Sequence, residues 1–394
     1  MHQDMSVAYR ETLSFVDQHG YYNFPHIKQH ALKHLAYPTL YVSTSGIKTK
    51  LDQFRTALPN VTPHYAVKAN PSPAIVKLLA DNQCRFEIAS QNELMMLVSL
   101  GVSPKNVLYS NPIKPKSHLE YAVEKGIDWY VADNIQAIEQ IVSTNRNAQI
   151  YLRIYTENTG SAWPLSTKFG AAETDIVSIV KYCSDNNVAL GGVTFHVGSQ
   201  CYNPDNWVIG INAANNVFDI MVEYGLKPKL LNLGGGFPVV MTNPVPSMKT
   251  IGRLITKTIA ESAHPYVNIV AEPGRFLVAD TSVLVSNVVM TTTRGNQKWM
   301  YLDTGVFHGL AEANCGIDYS IRVFSRDGKE KTNDQKATWT VAGPTCDSVD
   351  VVGDMPLPST IDPGDILFFL NGGAYTTAYA SSFNGFPAPN VILI

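Results

Sequence analysis

The chain has 394 residues, 45% of them hydrophobic and 16% charged, with a formal net charge of -3 at pH 7. That balance gives no reason to expect a nucleic acid or an anionic membrane surface as partner. No run of about 18 uncharged apolar residues is present to cross a bilayer, and the five cysteines are scattered without a CxxC pair, which argues against a disulfide framework or a metal site and for reduced thiols in a cytoplasmic enzyme.

Residues 1–15, MHQDMSVAYRETLSF, carry acids and polar groups where an export signal needs an apolar run. The first 36 residues lack the pattern that follows and are expected to pack with the C-terminal part of the chain. Short apolar strands then alternate with helical stretches. The candidate strands are residues 64–67, 85–88, 107–109, 129–131, 150–154, 192–196, 230–233 and 267–271. Between them lie segments such as PAIVKLLADN, QNELMMLVSLG and IQAIEQIVSTN, whose apolar residues recur at helical spacing. Eight strands alternating with helices predict a parallel sheet with crossovers. The count fits a closed (β/α)8 barrel of the TIM type over residues 37–275 better than an open sheet.

Beyond Arg275 the texture changes. SVLVSNVVMTTT, KWMYLDT, ATWTVAG and DILFFLNGG read as strands, separated by the turn signals RGNQ, SRDGKEK and DPGD. They predict a second, mostly antiparallel β domain over residues 276–394 that also takes in residues 1–36. FSRDGKEKTNDQK is the most polar stretch and is expected to be an exposed hairpin loop.

In a barrel of this kind, catalytic groups gather at the C-terminal ends of the strands. Here the first strand leads to Lys68, the second carries Glu87 and the fifth Arg153. His196 ends the sixth, followed by Gly198 and Ser199. Gly234, Gly235 and Gly236 follow the seventh, and Glu272-Pro273-Gly274-Arg275 the eighth. Each has a plain alternative: a lysine snorkelling to water, a satisfied core histidine, a tight glycine turn, a loop start at Glu-Pro. Taken together they suit pyridoxal phosphate. A lysine amine can form a Schiff base, backbone N–H groups of a glycine loop with Ser199 and Arg275 can cup a phosphate, a carboxylate can pair with a pyridinium nitrogen, and an imidazole can stack on its ring.

The motifs HYAVKANP, FEIAS, YSNPIK, WPLSTKFG, FHVGSQ, LNLGGGFP, AEPGR, GPTCDSVD and GGAYT stand in this order along the chain. In them the sequence resembles the fold-type III pyridoxal-phosphate decarboxylases of the ornithine, lysine, arginine and diaminopimelate group, from about residue 38 to residue 387. WPLSTKFG, GPTCDS and FNGFP are most similar to short bacterial ornithine or lysine/ornithine decarboxylases. The resemblance implies that Lys68 holds the cofactor, that His196 stacks on its ring and that Glu272 meets the ring nitrogen. It further implies that Ser199, Gly235, Gly236, Arg275 and Tyr375 bind the phosphate, with Glu87 and Arg153 around them. It places Lys168 in a subunit-interface ion pair. Cys346 and Asp347 would enter the neighbouring subunit's site of a head-to-tail homodimer, Cys346 to protonate the carbon left by CO2 loss and Asp347 to hold the substrate's distal amine.

One segment departs from the pattern. Where the bacterial relatives read GLxETxDExIxYPI, this chain reads GLAEANCGIDYSIRV over residues 309–323. Glu312 survives, the following acidic pair becomes Cys315 and Gly316, and Asp318 and Tyr319 follow. Asp318, Glu312 and Tyr319 are therefore the expected own-chain contacts to the substrate, beside Asp347. Ornithine or lysine is the expected substrate, which would place the reaction in polyamine synthesis. A modified amino acid, arginine or diaminopimelate are the alternatives, with a non-catalytic homologue and a racemase further behind.

Overall fold

The computed structural model describes residues 15–16, 20–34, 36–332 and 335–394. Eight parallel strands close into a barrel: Val61–Ala66, Arg85–Ile88, Val107–Tyr109, Trp129–Ala132, Gln149–Arg153, Leu190–Thr194, Leu230–Asn232 and Asn268–Ala271. They neighbour one another in chain order, and the last pairs back onto the first. The helices between them use local signals that the sequence carries. Asn134 caps the helix Ile135–Thr144 by accepting from the Ala137 N–H. Ser90 caps Gln91–Ser99 through the Glu93 N–H, and Glu93 reaches back to the Ala89 N–H at 2.6 Å, a reciprocal cap. Ile47, Leu51 and Phe54 of the helix Thr44–Ala57, and Ile138 and Ile141 of Ile135–Thr144, face the barrel wall and are fully buried.

The barrel interior is layered. Leu108, Val131, Tyr151, Leu230 and Val270 form an apolar plug inside it, with Trp129 packed against them. Side chains alternate between the two faces of a strand, so residues two further on point into the barrel again. Those residues are Ser110, Asp133, Arg153, Asn232 and Glu272. A dry floor thus carries a polar ring at the C-terminal mouth.

Strand limits move by a few residues from expectation. The first strand begins at Val61, ahead of Pro63, whose missing N–H argues against a ladder when read from sequence alone. Lys68 sits on the 3-10 turn Val67–Ala69 just after that strand. The sixth strand ends at Thr194, and Phe195 and His196 leave the ladder.

The second layer is a sheet in the order Ile321–Phe324, Ile366–Leu370, Ser282–Arg294, Gln297–Leu302, Lys336–Ala342 and Val351–Pro358. All neighbours are antiparallel except Gln297–Leu302 with Lys336–Ala342. Thr39–Val42 falls inside the span expected for the barrel, yet it pairs with Ser282–Arg294 and with the C-terminal strand Asn390–Leu393. Its four residues are all buried, and a strand covered on both faces reads as a continuous apolar run that periodicity cannot assign to one sheet or another. The helix Phe24–His34 buries Ile27 and Ala31 against Tyr41, Val283, Phe324 and Phe368 of this sheet. Phe15–Val16 pairs instead with Val245–Pro246, in a loop of the barrel span. The rest of the N-terminal segment, residues 1–14, 17–19 and 35, lies outside the described residues, as do residues 333–334 of the expected hairpin loop. That loop turns at residues 326–328 and is tied down by Arg322 on Glu330 and by Lys331 on Asp362 and Asp365.

A buried ion pair joins the two layers. Lys50, on the barrel helix Thr44–Ala57, places Nζ 2.8 Å from Asp280 Oδ2, just before the long strand Ser282–Arg294, and both side chains are 4% exposed. The ammonium also lies 3.8 Å from the centroid of the Phe276 ring. Removing one member of such a pair leaves a bare buried charge, whereas replacing both by apolar groups does not. Lys50→Met should cost roughly 3–5 kcal/mol in urea unfolding, and Lys50→Met combined with Asp280→Leu should regain most of it. Equal losses in the single and double variants would show that the pair does not couple the layers.

Candidate active site

Lys68 arrives at the mouth with Nζ 2.5 Å from Glu87 Oε2. Glu87 points inward from the second strand and is 1% exposed. The Lys68 side chain is 44% exposed within the open mouth, and its ammonium is directed onto Glu87. Burial lowers its pKa, but the carboxylates of Glu87 and Glu272, with Tyr375, outweigh this and hold it above its ordinary value. Burial pushes the Glu87 carboxyl upward against the pull of Lys68. The pair therefore keeps the proton on the Lys68 amine, with Glu87 as its counter-charge.

His196 lies across the mouth. Its main-chain carbonyl accepts from Asn158 Nδ2 at 2.7 Å and Thr156 Oγ1 at 3.1 Å, which anchors the segment beyond the ladder. Its Nδ1 accepts from the Gly198 N–H at 3.0 Å, so in the neutral ring the proton is on Nε2. Burial, then Arg153 and Lys68, bring its pKa down to about 3. The imidazole is neutral at physiological pH. Arg153 is held at the same mouth, and burial lowers its pKa despite Glu272, Asp133 and Glu87 nearby.

The glycine loop and Arg275 form the next wall. A Cβ at Gly235 would stand 2.9 Å from the Glu272 carbonyl and 3.3 Å from His196 Nε2. Gly236, with φ +90°, would drive a Cβ into the Gly198 carbonyl. Only glycine lets the backbone come this close. Arg275 is buried; its Nη2 is 3.3 Å from Ser199 Oγ, its guanidinium carbon is 5.0 Å from the Tyr375 ring centroid, and its Nε has no partner. Tyr375 holds φ at 60° and donates its N–H to Ala69 O at 2.6 Å, bringing it back over the Lys68 turn. A side-chain-free loop, a buried donor without an acceptor and a serine hydroxyl fit the phosphate of pyridoxal phosphate, as Lys68 fits its aldehyde.

Glu272 completes the ring and exposes residues that motif reading missed. Its Oε1 accepts from Ser110 Oγ at 2.5 Å and from Asn232 Nδ2 at 2.6 Å, and Ser110 Oγ lies 2.6 Å from the Tyr151 hydroxyl. Ser110 is in YSNPIK and Asn232 in LNLGGGFP, both recognised as motifs without a role for these side chains. The period of two was the usable signal: each stands two residues beyond a plug residue.

Other expected residues lie elsewhere. Glu312, expected against the substrate, has both oxygens on Arg275, at 2.8 and 2.5 Å, and is buried. A lone buried guanidinium demands such a partner, so Glu312 is a counter-charge to Arg275 and not an open acid. Asp318 is exposed, whereas Tyr319 is buried and packs edge-on to Phe369 at 6.0 Å. Cys346 and Asp347 are exposed on a loop of the β sheet, outside this ring, and Lys168 is exposed too. Asp350 organises the loop by accepting from the N–H groups of Val306 and Thr345 and from the Thr345 hydroxyl.

Residues 44–279 match the pyridoxal-binding domain of the pyridoxal-dependent decarboxylases. The ornithine decarboxylase of Schizosaccharomyces pombe is 34% identical over 361 residues, covering 89% of this chain and 82% of the relative. The lysine/ornithine decarboxylase of Vibrio vulnificus, solved with cadaverine, superimposes with a TM-score of 0.85 at 29% identity, over 94% of this chain and 98% of that one. The arginine decarboxylase of the Paramecium bursaria Chlorella virus, bound to agmatine, gives 0.86 at 27% identity, over 94% and 100%. The similarity runs through both layers of the fold and through the mouth where Lys68, Glu272 and the glycine loop meet, and on that ground the chain belongs to the pyridoxal-dependent decarboxylases, enzymes whose cofactor is pyridoxal phosphate.

Proposed function

We propose that this decarboxylase removes the α-carboxylate of ornithine or lysine, releasing CO2 and a diamine, at sites that a second copy of the chain completes. The observation that carries the reading is the Lys68–Glu87 pair set in one mouth with Glu272, His196 and the glycine–Arg275 wall. When bound, pyridoxal phosphate supplies an aldehyde for an amine and an electron-accepting ring for the charge left by CO2 loss. Lys68 is the amine that holds it. Glu87 pairs with Lys68 and orients its amine. Ser199, the N–H groups of Gly235 and Gly236, Arg275 and Tyr375 bind the phosphate, His196 stacks on the ring, Glu272 meets the ring nitrogen, and Arg153 balances the carboxylates. Replacement of CO2 by hydrogen consumes one proton. Cys346 of the partner subunit is assigned to deliver it, and its thiol is reprotonated from solvent.

The substrate's far end is assigned to Asp347 of the partner subunit. Glu312 is committed to Arg275 and Asp318 is exposed, so the own-chain acids expected there are poorly placed to bind an ammonium. The commitment of Glu312 to Arg275 and the exposure of Asp318 favour one second reading, a modified amino acid whose distal group is not a free amine. Five cysteines without a disulfide suit a reducing compartment such as the cytoplasm, and a diamine product suits polyamine synthesis.

Borohydride treatment of the cofactor-loaded enzyme should fix the cofactor to Lys68. Lys68→Ala should lose that adduct and several orders of magnitude in turnover; normal turnover by this variant would remove the central assignment. Mixing Lys68→Ala with Cys346→Ala after verified subunit exchange should restore up to about a quarter of wild-type activity, because half the dimers are mixed and each has one intact site of two. No recovery would place Cys346 outside its partner's site. Asp347→Asn should raise KM for a diamino acid by roughly 2–5 kcal/mol in binding terms, with Asp318→Asn near neutral. Turnover of neither lysine nor ornithine by the wild type would favour the modified substrate.

A further inference from the structure

Glu272 is held from one side. Oε1 takes both donors, Ser110 Oγ at 2.5 Å and Asn232 Nδ2 at 2.6 Å, while Oε2 has no hydrogen bond among the described residues. The direction of every bond is set by its neighbours. Asn232 Oδ1 accepts from the Gly234 N–H at 2.9 Å, so the amide cannot be reversed and its NH2 must face the carboxylate. Ser110 has a single hydroxyl proton, and a carboxylate can only accept, so that proton goes to Glu272. The Tyr151 hydroxyl, 2.6 Å away, must then donate to Ser110. Tyr151 is fully buried, and burial keeps its hydroxyl protonated far beyond neutral pH. A relay of donors therefore runs from Tyr151 through Ser110 to Glu272, with Asn232 as a second arm.

We propose that Ser110, backed by Tyr151, is a positioning residue for the decarboxylation: it pins Oε1 of Glu272, leaves Oε2 facing the cofactor's ring nitrogen, and so keeps that nitrogen protonated. The inference rests on the assignment of Glu272 to the ring nitrogen. Two donors on Oε1 stabilise negative charge on the carboxylate, so a proton between Oε2 and the ring nitrogen stays on the nitrogen. The terminal torsion of a glutamate is soft, and the same two bonds stop the carboxylate from turning away. Without the serine hydroxyl, Oε1 keeps one donor, the carboxylate can rotate, and the proton moves toward Glu272. The ring then accepts electrons less well.

The experiment uses the holoenzyme carrying cofactor labelled with 15N at the ring nitrogen. In Ser110→Ala the 15N resonance should move part of the way toward the value of an unprotonated ring. Loss of one hydrogen bond to a charged group should lower kcat about tenfold or somewhat more, with KM little changed. Ser110→Thr, which keeps the hydroxyl, should return both toward wild type. Tyr151→Phe should shift the resonance in the same direction by less, and it carries the test if Ser110→Ala does not fold. Glu272→Gln is the control. If it shifts the resonance while Ser110→Ala and Tyr151→Phe do not, Glu272 keeps its role and Ser110 is only a packing contact, which overturns the proposal. If Glu272→Gln also leaves the resonance in place, the assignment of Glu272 fails and the proposal with it.

Discussion

The site depends on a closed barrel whose side chains alternate, so that an apolar plug and a polar ring are consecutive layers of the same strands. Leu108, Tyr151, Leu230 and Val270 exclude water from below, and Ser110, Arg153, Asn232 and Glu272 stand directly above them. Neither layer works without the other. The plug removes solvent from one side of the ring, which strengthens every interaction within it. The ring gives the plug a polar cap where the barrel opens.

Desolvation at the mouth imposes a charge balance. Lys68, Arg153 and Arg275 face Glu87, Glu272 and Glu312, and two of these contacts are direct pairs, Lys68 with Glu87 and Arg275 with Glu312. Unpaired buried charges are costly. His196 avoids the problem by staying neutral, its pKa driven down by burial and by the neighbouring cations. The pairing of Arg275 also limits what that residue can do. With Glu312 on both of its terminal nitrogens, the guanidinium is already countered, and only its Nε is left without a partner. Glycine at Gly235 and Gly236 is demanded by the chain itself, where a Cβ would meet the Glu272 and Gly198 carbonyls.

The same economy of contacts separates the barrel mouth from the loop carrying Cys346 and Asp347. Asp350 fixes that loop from within, and the carbonyl oxygen of the Asn384 side chain lies 3.2 Å from the Cys346 N–H and 3.4 Å from its thiol. Within its own chain the loop leaves Cys346 and Asp347 exposed. The Lys50–Asp280 pair joins the barrel helix Thr44–Ala57 to the start of the long strand of the second layer.

The barrel was legible because short apolar strands and helical patterns alternate along the chain, and local caps such as Asn134 and Ser90 mark where helices begin. Lys68, Glu87, Arg153, His196 and the glycine loop were legible for the same reason: they follow a strand within a few residues, so strand assignment alone puts them at one end. Sequence could not pair residues distant in the chain. Thr39–Val42 joins the β sheet only because it meets Ser282–Arg294, more than 200 residues away. Glu312 looks like a free acid until Arg275 is seen against both its oxygens, and of the two other expected substrate contacts Asp318 is exposed while Tyr319 is packed on Phe369. Ser110 and Asn232 are ordinary polar residues in sequence; they acquire a role only where barrel closure brings strands three, seven and eight around one carboxylate. Local periodicity decides what each segment is, and only closure of the chain on itself decides which polar groups are left to satisfy one another.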